Sequence, residues 1–376
     1  MTTTLNPFKL LSFHDVHLGH RKTSTEEVIA GLKKSILAED LPTVSCIAFQ
    51  GDLFDRDLQL SVECVTDIHQ FFAWLLRLCK EYGIWLRVLE GTPSHDWKQS
   101  RLLITLNKLL DVGCDVQYVE RLCVDFLPNG LSVLYVPDEW SIDPLDTLRQ
   151  AKDAIKAAGL EQVDFVFMHG AFEYQLPDHL GIATHSSALW QELVKYLILC
   201  GHIHQYSRYG KIAVAGSHNR LAHNEESPKG HLRVELKGER VKTTFVENVD
   251  AKIYRTIDCV GLSLDSALES IAEVCAATPA GSFLRIKTLS TESLTNSLDA
   301  IRQKYGEFFW DQKVLRADQT GQLVKPVKLE KYRGTALTKT NLPELVSQRL
   351  KLQSDISEAL QQRTLRLLET LQCEVS

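Results

Sequence analysis

The sequence predicts an α/β fold, and three observations carry that expectation. Up to about residue 240, apolar runs of strand length alternate with segments of helical spacing. Several of these runs end at a turn rich in Gly, Asp or His. Other short runs follow one another without helical spacers, which calls for a second, more antiparallel sheet. Together they give an α/β sandwich, and 376 residues with 44% apolar content are enough for a large core and two or more domains.

Each element has a local reason. Phe8 to Phe13 is an apolar run ending just before Asp15, and Ser24 with Glu27 then forms a capping box ahead of Val28, Leu32 and Ile36. Cys46 to Phe49 is a second strand, followed by a helix whose Val65, Phe72 and Leu76 share a face; Ile84 to Leu89 is a third. Phe165 to Met168 and Tyr196 to Leu199 repeat the arrangement. Val133 to Val136, Ile212 to Ala215, Leu232 to Leu236 and Thr243 to Val246 are assigned to the second sheet. Beyond about residue 250, Tyr254 to Val260, Leu264 to Cys275, Phe283 to Leu289 and Leu294 to Tyr305 read as strand, helix, strand, helix, the last ended by Gly306. They form a smaller α+β domain.

Composition narrows the readings. A net charge of −6 argues against a surface uniformly coated for nucleic acid. Nine cysteines without a CxxC pair fit reduced, mostly buried thiols better than disulfides or a zinc ribbon. The first residues lack the charged and apolar regions of a leader, and no apolar run approaches membrane-spanning length, so the cytoplasm is expected and a membrane is not.

Two later stretches suggest macromolecular partners. From Ile301 to Thr340 nine basic residues stand against four acidic ones, with Phe308, Phe309, Trp310 and Tyr332 among them. Cations beside aromatics suit phosphate backbones and unstacked bases, and a solvated linker is the other reading. From Asn341 a helix start with Pro343 and Glu344 leads into Leu345, Leu352, Ile356, Leu360, Leu367 and Leu371 at near-helical spacing. That apolar face packs on its own chain or docks on a partner helix. The expected division is 1–250, 251–320, a basic linker at 321–340, and an amphipathic helical segment at 341–376.

The chemistry lies in five segments: Asp15-Val16-His17, Gly51-Asp52-Leu53-Phe54-Asp55, Ser94-His95-Asp96, His169-Gly170 and Gly201-His202-Ile203-His204. Each follows an apolar run, and in open α/β sheets the carboxyl ends of strands line one cleft. Asp15 and His17, like His202 and His204, are spaced two apart, so an extended chain points both to one side. Asp52 has two oxygens with which to bridge two cations. Carboxylates and imidazoles in this number suit a pair of divalent metals, which can activate water and neutralise a phosphoryl group.

In this order the segments resemble the calcineurin-like metallophosphoesterase superfamily, whose motifs run D-x-H, G-D-x-x-D, G-N-H-D, a histidine, and G-H-x-H. Asp15 to Gly19, the block GDLFDR, and Gly216-Ser217 with Asn219-Arg220-Leu221 are more closely similar to the SbcD-type nuclease subunit of DNA repair exonucleases. The resemblance implies a metallophosphoesterase β-sandwich flanked by helices, a capping domain beginning near YRTID, and a C-terminal partner-binding segment. It also implies that Asp15, His17, Asp52 and His204 hold one manganese and Asp52, Ser94, His169 and His202 surround the other. His95 would be the proton donor, oriented by Asp96. The implied activity is a manganese-dependent DNA exonuclease and endonuclease in repair and recombination, partnered by an SbcC-type SMC-like ATPase, with a homodimer possible by the same resemblance.

One departure stands out. The family has asparagine directly before the catalytic histidine, whereas this chain reads Gly91-Thr92-Pro93-Ser94-His95-Asp96. A serine hydroxyl is a poorer ligand than an amide oxygen. The second metal is then bound weakly, held through water, or held by a backbone oxygen of the longer loop. A free-standing phosphodiesterase for small nucleotides and a metal-impaired interaction module are the competing readings. Among the remaining histidines, His14 and His20 read as solvated loop residues, with contact to substrate phosphate as the other reading, and His69 as a core histidine; His179, His185, His218, His223, and also Glu173 and Tyr174, carry no assignment.

Overall fold

Strand β1 (Phe8–Phe13) has five of its six residues buried, as a sheet covered on both sides requires. The computed structural model describes residues 7–60, 64–138, 143–177, 182–315 and 346–347. Helix α1 (Thr25–Leu37) starts where Ser24 accepts the Glu27 N–H, and it buries Val28, Leu32 and Ile36. Strand β2 (Cys46–Gln50), helix α2 (Cys64–Tyr82) and strand β3 (Trp85–Leu89) come next. A single helical turn α3 (Pro93–Asp96), helix α4 (Arg101–Leu109) and strand β4 (Val116–Val119) complete this series.

A second series runs through β5 (Cys123–Phe126), β6 (Ser132–Val136), α5 (Pro144–Ala157) and β7 (Val163–His169). It continues with α6 (Ser187–Gln191), β8 (Val194–Gly201), β9 (Ser207–Tyr209) and β10 (Ile212–Val214). The chain then returns to the first sheet as the hairpin β11 (Gly230–Lys237) and β12 (Arg240–Glu247). The sheet orders are β12-β11-β1-β2-β3-β4 and β5-β6-β7-β8-β10-β9.

Between the two sheets Phe8, Leu10, Cys46 and Ala48 meet Val133, Phe165, Phe167 and Leu199 in one buried cluster. On the outer side of the first sheet, α1 and α2 cover Leu11, Ile47 and Leu86. On the outer side of the second, Leu148 and Ile155 of α5 and Trp190 of α6 cover Val166 and Ile198. The fold is therefore an α/β sandwich of two mixed sheets flanked by helices, and the sites at 15–17, 52, 169 and 202–204 lie at or just beyond the carboxyl ends of β1, β2, β7 and β8.

Membership of the second sheet differs from the sequence expectation. β6, β7, β8 and β10 run parallel, with antiparallel pairs only at the edges, while β11 and β12 join the first sheet beside β1. The physical reason is α5: it supplies the crossover that a parallel β6–β7 pair needs. The helix expected over Leu294 to Tyr305 opens as a 3-10 turn, Ser293–Ser297, before α8 (Leu298–Lys304).

A third sheet is made of β13 (Tyr254–Asp258), β14 (Phe283–Leu289) and β15 (Phe309–Leu315), all parallel, with α7 (Leu264–Ala276) between the first two. Ile257, Ile271, Leu284 and Leu298 form its own core. The chain divides into two compact units, residues 1–315 and 316–376, and this small sheet belongs to the first. The basic linker at 321–340 with Tyr332, and the amphipathic segment at 341–376, lie outside the described residues except for Val346 and Ser347, which are helical.

None of the eight described cysteines forms a disulfide among the described residues, and six of them are buried. Among the described residues no helix is long and apolar enough to cross a membrane.

Candidate metal centre

The loops after the strands are bent into a conformation that side chains usually avoid. Asp15, His17, Asp52 and His202 have φ of 47°, 56°, 49° and 97°. Non-glycine residues seldom adopt positive φ, and such strain concentrates at functional sites. Close packing of the loops helps to hold it. A Cβ on Gly91 would come within 2.1 Å of the Asp52 nitrogen, and one on Gly51, itself at φ +82°, within 2.3 Å of His169 Nδ1.

Asp15, His17 and His204 form one group of potential ligand atoms, and Asp52, His169 and His202 another. Asp52 stands between them: Oδ1 is 3.3 Å from His169 Nε2 and Oδ2 is 3.8 Å from His17 Nε2. Asp15 Oδ1 accepts the His202 N–H at 2.7 Å, while Asp15 Oδ2 is buried without a hydrogen-bond partner among the described residues. Six of the nine sequence-assigned site residues thus converge.

In the first group the Nε2 atoms of His17 and His204 face each other at 3.1 Å. His204 Nδ1 lies 2.8 Å from Glu225 Oε1, which favours a proton on Nδ1 and a lone pair on Nε2. His17 Nδ1 lies 3.3 Å from Asp55 Oδ1, out of hydrogen-bond alignment but close enough for the carboxylate to favour the same tautomer. Two lone pairs at that separation repel unless a proton or a cation lies between them.

The second group follows the same logic. His169 donates from Nδ1 to the Gln50 carbonyl at 2.8 Å and so aims Nε2 at Asp52. Burial disfavours charge on this ring, but Asp52, Asp15 and the Gln50 carbonyl together raise its pKa to about 10. Burial likewise opposes charge on Asp52, yet His169, His17 and His95 keep its pKa below the ordinary value. This pocket attracts positive charge.

Ser94 is exposed, and among the described residues its hydroxyl makes no hydrogen bond to either group. The oxygen donor beside the second group is Thr92: its hydroxyl is 3.3 Å from Asp52 Oδ2, 3.3 Å from His169 Nε2 and 3.4 Å from His202 Nδ1. The loop is anchored at Gly91, next to Asp52, and its two extra residues, Pro93 and Ser94, open the helical turn α3 after Thr92. The sequence signal was available, since Thr92 follows the glycine as asparagine does in G-N-H-D.

His95 is half-buried, its ring 5.1 Å from that of His17 and nearly perpendicular to it. With His17 and Asp55 it forms a third group of possible ligands. Asp96 does not orient it. Both Asp96 oxygens are taken by backbone, Oδ1 by the Phe54 N–H at 2.8 Å and Oδ2 by the Gly91 N–H at 2.7 Å. Fully buried, Asp96 ties the Asp52 loop to the His95 loop, while His95 Nδ1 has no hydrogen-bond partner among the described residues.

Sequence reasoning also missed the layer behind these candidate ligands. Glu225 holds His204 and accepts from Lys229 at 2.9 Å; Lys229, almost wholly buried, also donates to the His204 carbonyl at 2.6 Å. Burial raises the Glu225 carboxyl, but His204 and Lys229 outweigh it and lower the pKa to about 2. No local pattern marks these residues. His14, expected to be solvated, is fully buried between the Ser12 hydroxyl and the Cys200 carbonyl, and burial lowers its pKa to about 4. His69 is half-buried on α2, and His179 lies outside the described residues.

The donor set fits two divalent cations. Hard oxygen and imidazole nitrogen, an orphaned carboxylate oxygen and opposed ring nitrogens are what such ions require. No family model and no curated protein matches the chain. Among solved structures, the protein TT1561 of Thermus thermophilus aligns at 14% identity over 64% of this chain and 99% of its own, with a TM-score of 0.40. A second aligns at 12% identity over 64% of this chain and 100% of its own, also with a TM-score of 0.40.

Proposed function

We propose that this chain is a metal-dependent phosphodiesterase that cuts DNA as a cytoplasmic exonuclease and endonuclease in repair and recombination. The observation carrying the reading is the position of Asp52, whose two oxygens face separate histidine groups within one pocket. A carboxylate placed this way suits a pair of cations acting on one phosphate.

Asp15, His17, Asp52 and His204 would hold one ion; Asp52, Thr92, His169 and His202 would hold the other. Two such ions, manganese in this reading, would supply an activated water and neutralise charge on the phosphoryl oxygens. The chain's own residues do the rest. Glu225 and Asp55 set the tautomers of His204 and His17, the Gln50 carbonyl sets that of His169, and Asp96 fixes the His95 loop against the Asp52 loop. His95 gives a proton to the departing 3′ oxygen.

The DNA substrate, an SbcC-type SMC-like ATPase partner and a homodimer are supported by the resemblance to SbcD-type nucleases and by the basic, aromatic stretch after Ile301. A manganese-supplemented assay on linear duplex DNA and on a small chromogenic diester tests the reading. Cleavage of both, abolished by EDTA, is expected. Cleavage of the small ester alone favours a free-standing phosphodiesterase, and cleavage of neither favours an interaction module. Capture of an ATPase that is lost on truncation at about residue 340 tests the partner.

A further inference from the structure

The loop that carries His95 has a second side. Thr92 lies among the metal-binding groups, but Pro93, Ser94, Trp97, Lys98, Glu120 and Arg121 line a separate cavity of about 560 Å³ together with Glu90 and Asp138. That volume lies within the roughly 300–1,000 Å³ of small-molecule sites.

Trp97 is the unusual member. It is 57% exposed, although burying an indole would be favourable. Trp97 and Lys98 have φ of 48° and 58°, two successive side-chain-bearing residues in the left-handed region. The Lys98 N–H is fixed by Glu90 Oε1 at 2.8 Å and the Gln99 N–H by the Asp96 carbonyl at 2.8 Å. The indole is tethered too, its Nε1 donating to the Ser94 carbonyl at 2.8 Å. The result is a flat aromatic surface held in solvent at a fixed tilt, two residues from His95.

The polar lining is partly spoken for. Glu90 accepts from the Lys98 N–H and the Tyr118 hydroxyl, and Glu120 from Arg101 and Lys98. Arg121 is exposed and makes no ion pair among the described residues.

We infer that Trp97 is a stacking platform for one unstacked nucleobase of the strand under attack, seated in this cavity, with Arg121 meeting the adjoining phosphate. The inference deepens the nuclease reading by naming the substrate as a frayed or single-stranded segment, since a base paired inside a duplex cannot present its face to the indole. Stacking is tolerant of sequence because every base has a π-face. The contact itself needs no metal.

The test uses the full chain and short single-stranded oligonucleotides, one with normal bases and one abasic. In EDTA, the normal oligonucleotide should quench tryptophan emission, and Trp97→Phe should lose that quench while still binding. Trp97→Ala should bind it about 5- to 150-fold more weakly, the range expected for one lost stack. With manganese, the wild type should cleave the normal oligonucleotide at lower KM than the abasic one, and Trp97→Ala should erase the difference. An unchanged preference for normal over abasic substrate in Trp97→Ala overturns the proposal. If the wild type cleaves neither substrate while the Trp97-dependent quench persists, the base seat stands and the nuclease reading falls.

Discussion

Thr92 holds both carboxylate oxygens of Asp52: its N–H donates to Oδ1 at 2.6 Å and its hydroxyl to Oδ2 at 3.3 Å. A hydroxyl has one proton and two lone pairs, so donating to Asp52 leaves an oxygen lone pair for a cation in the His169 and His202 group. Thr92→Ala should lower affinity for the second metal about 10- to 100-fold, the usual cost of removing a group that supports a ligand. Ser94→Ala, at an exposed position, should bind as the wild type does. Thr92→Asn supplies an amide oxygen and should recover most of the affinity. Calorimetric manganese titration separates the three, and a large loss in Ser94→Ala alone would return the ligand role to that serine.

His95 and His17 should separate when each is replaced. His17 Nε2 lies between His204 and Asp52, so His17→Ala removes a ligand atom from the centre of the pocket. His95 is half-buried, with its ring beside that of His17. His95→Ala is expected to cut turnover by about 10²–10⁴-fold, the usual contribution of a proton donor, with bound metal nearly unchanged. His17→Ala should lose metal outright. Elemental analysis after gel filtration reads both, and metal loss in both variants would make His95 a ligand through its group with His17 and Asp55.

The strands after which the site residues fall were legible because apolar runs ending at Gly, Asp or His carry fold and chemistry in the same few residues. The parallel pairing of β6 with β7 was not, because the crossover helix α5 went unrecognised between them. Counting back from His95 reached Ser94, whereas the fold anchors the loop at Gly91, where the absence of a Cβ lets it press on Asp52. The resemblance made Asp96 the group that orients His95, yet its oxygens bind N–H groups at Phe54 and Gly91. Glu225 and Lys229 sit in a polar loop where charge ordinarily means solvent, and only the folded chain brings them behind His204.

Stability should depend on pH through Glu39. This buried carboxylate receives Arg233 at 2.6 Å and 2.8 Å and Lys9 at 2.8 Å, joining the end of α1 to β11 and β1. Burial pushes its pKa up, but His231, Arg233 and Lys9 prevail and lower it from the ordinary 4.5. A carboxyl group lowered on folding stabilises above its unfolded pKa and loses that contribution as pH falls toward the folded value. Glu39→Gln should therefore cost about 2 kcal/mol at pH 7, less where solvent screens the outer ends of Lys9 and Arg233. Urea denaturation at pH 7 and pH 3 should find the gap narrowing in acid; a gap that widens would contradict the sign.

Glu225 has two duties that can be taken apart. One oxygen orients His204, and the other receives the buried ammonium of Lys229. Glu225→Gln weakens both, so metal affinity should drop about 10- to 100-fold. Stability should also fall by about 3 kcal/mol, because a buried cation is left without its countercharge. Adding Lys229→Met removes that cation and should restore much of the stability, since an apolar chain of similar length replaces half of a broken ion pair. It cannot restore the carboxylate beside His204 Nδ1, so metal affinity should stay low in the double variant. Thermal denaturation in EDTA and manganese titration read the two quantities independently, and recovery of both in the double variant would mean that Glu225 acts on the metal pocket only through the stability of the loop.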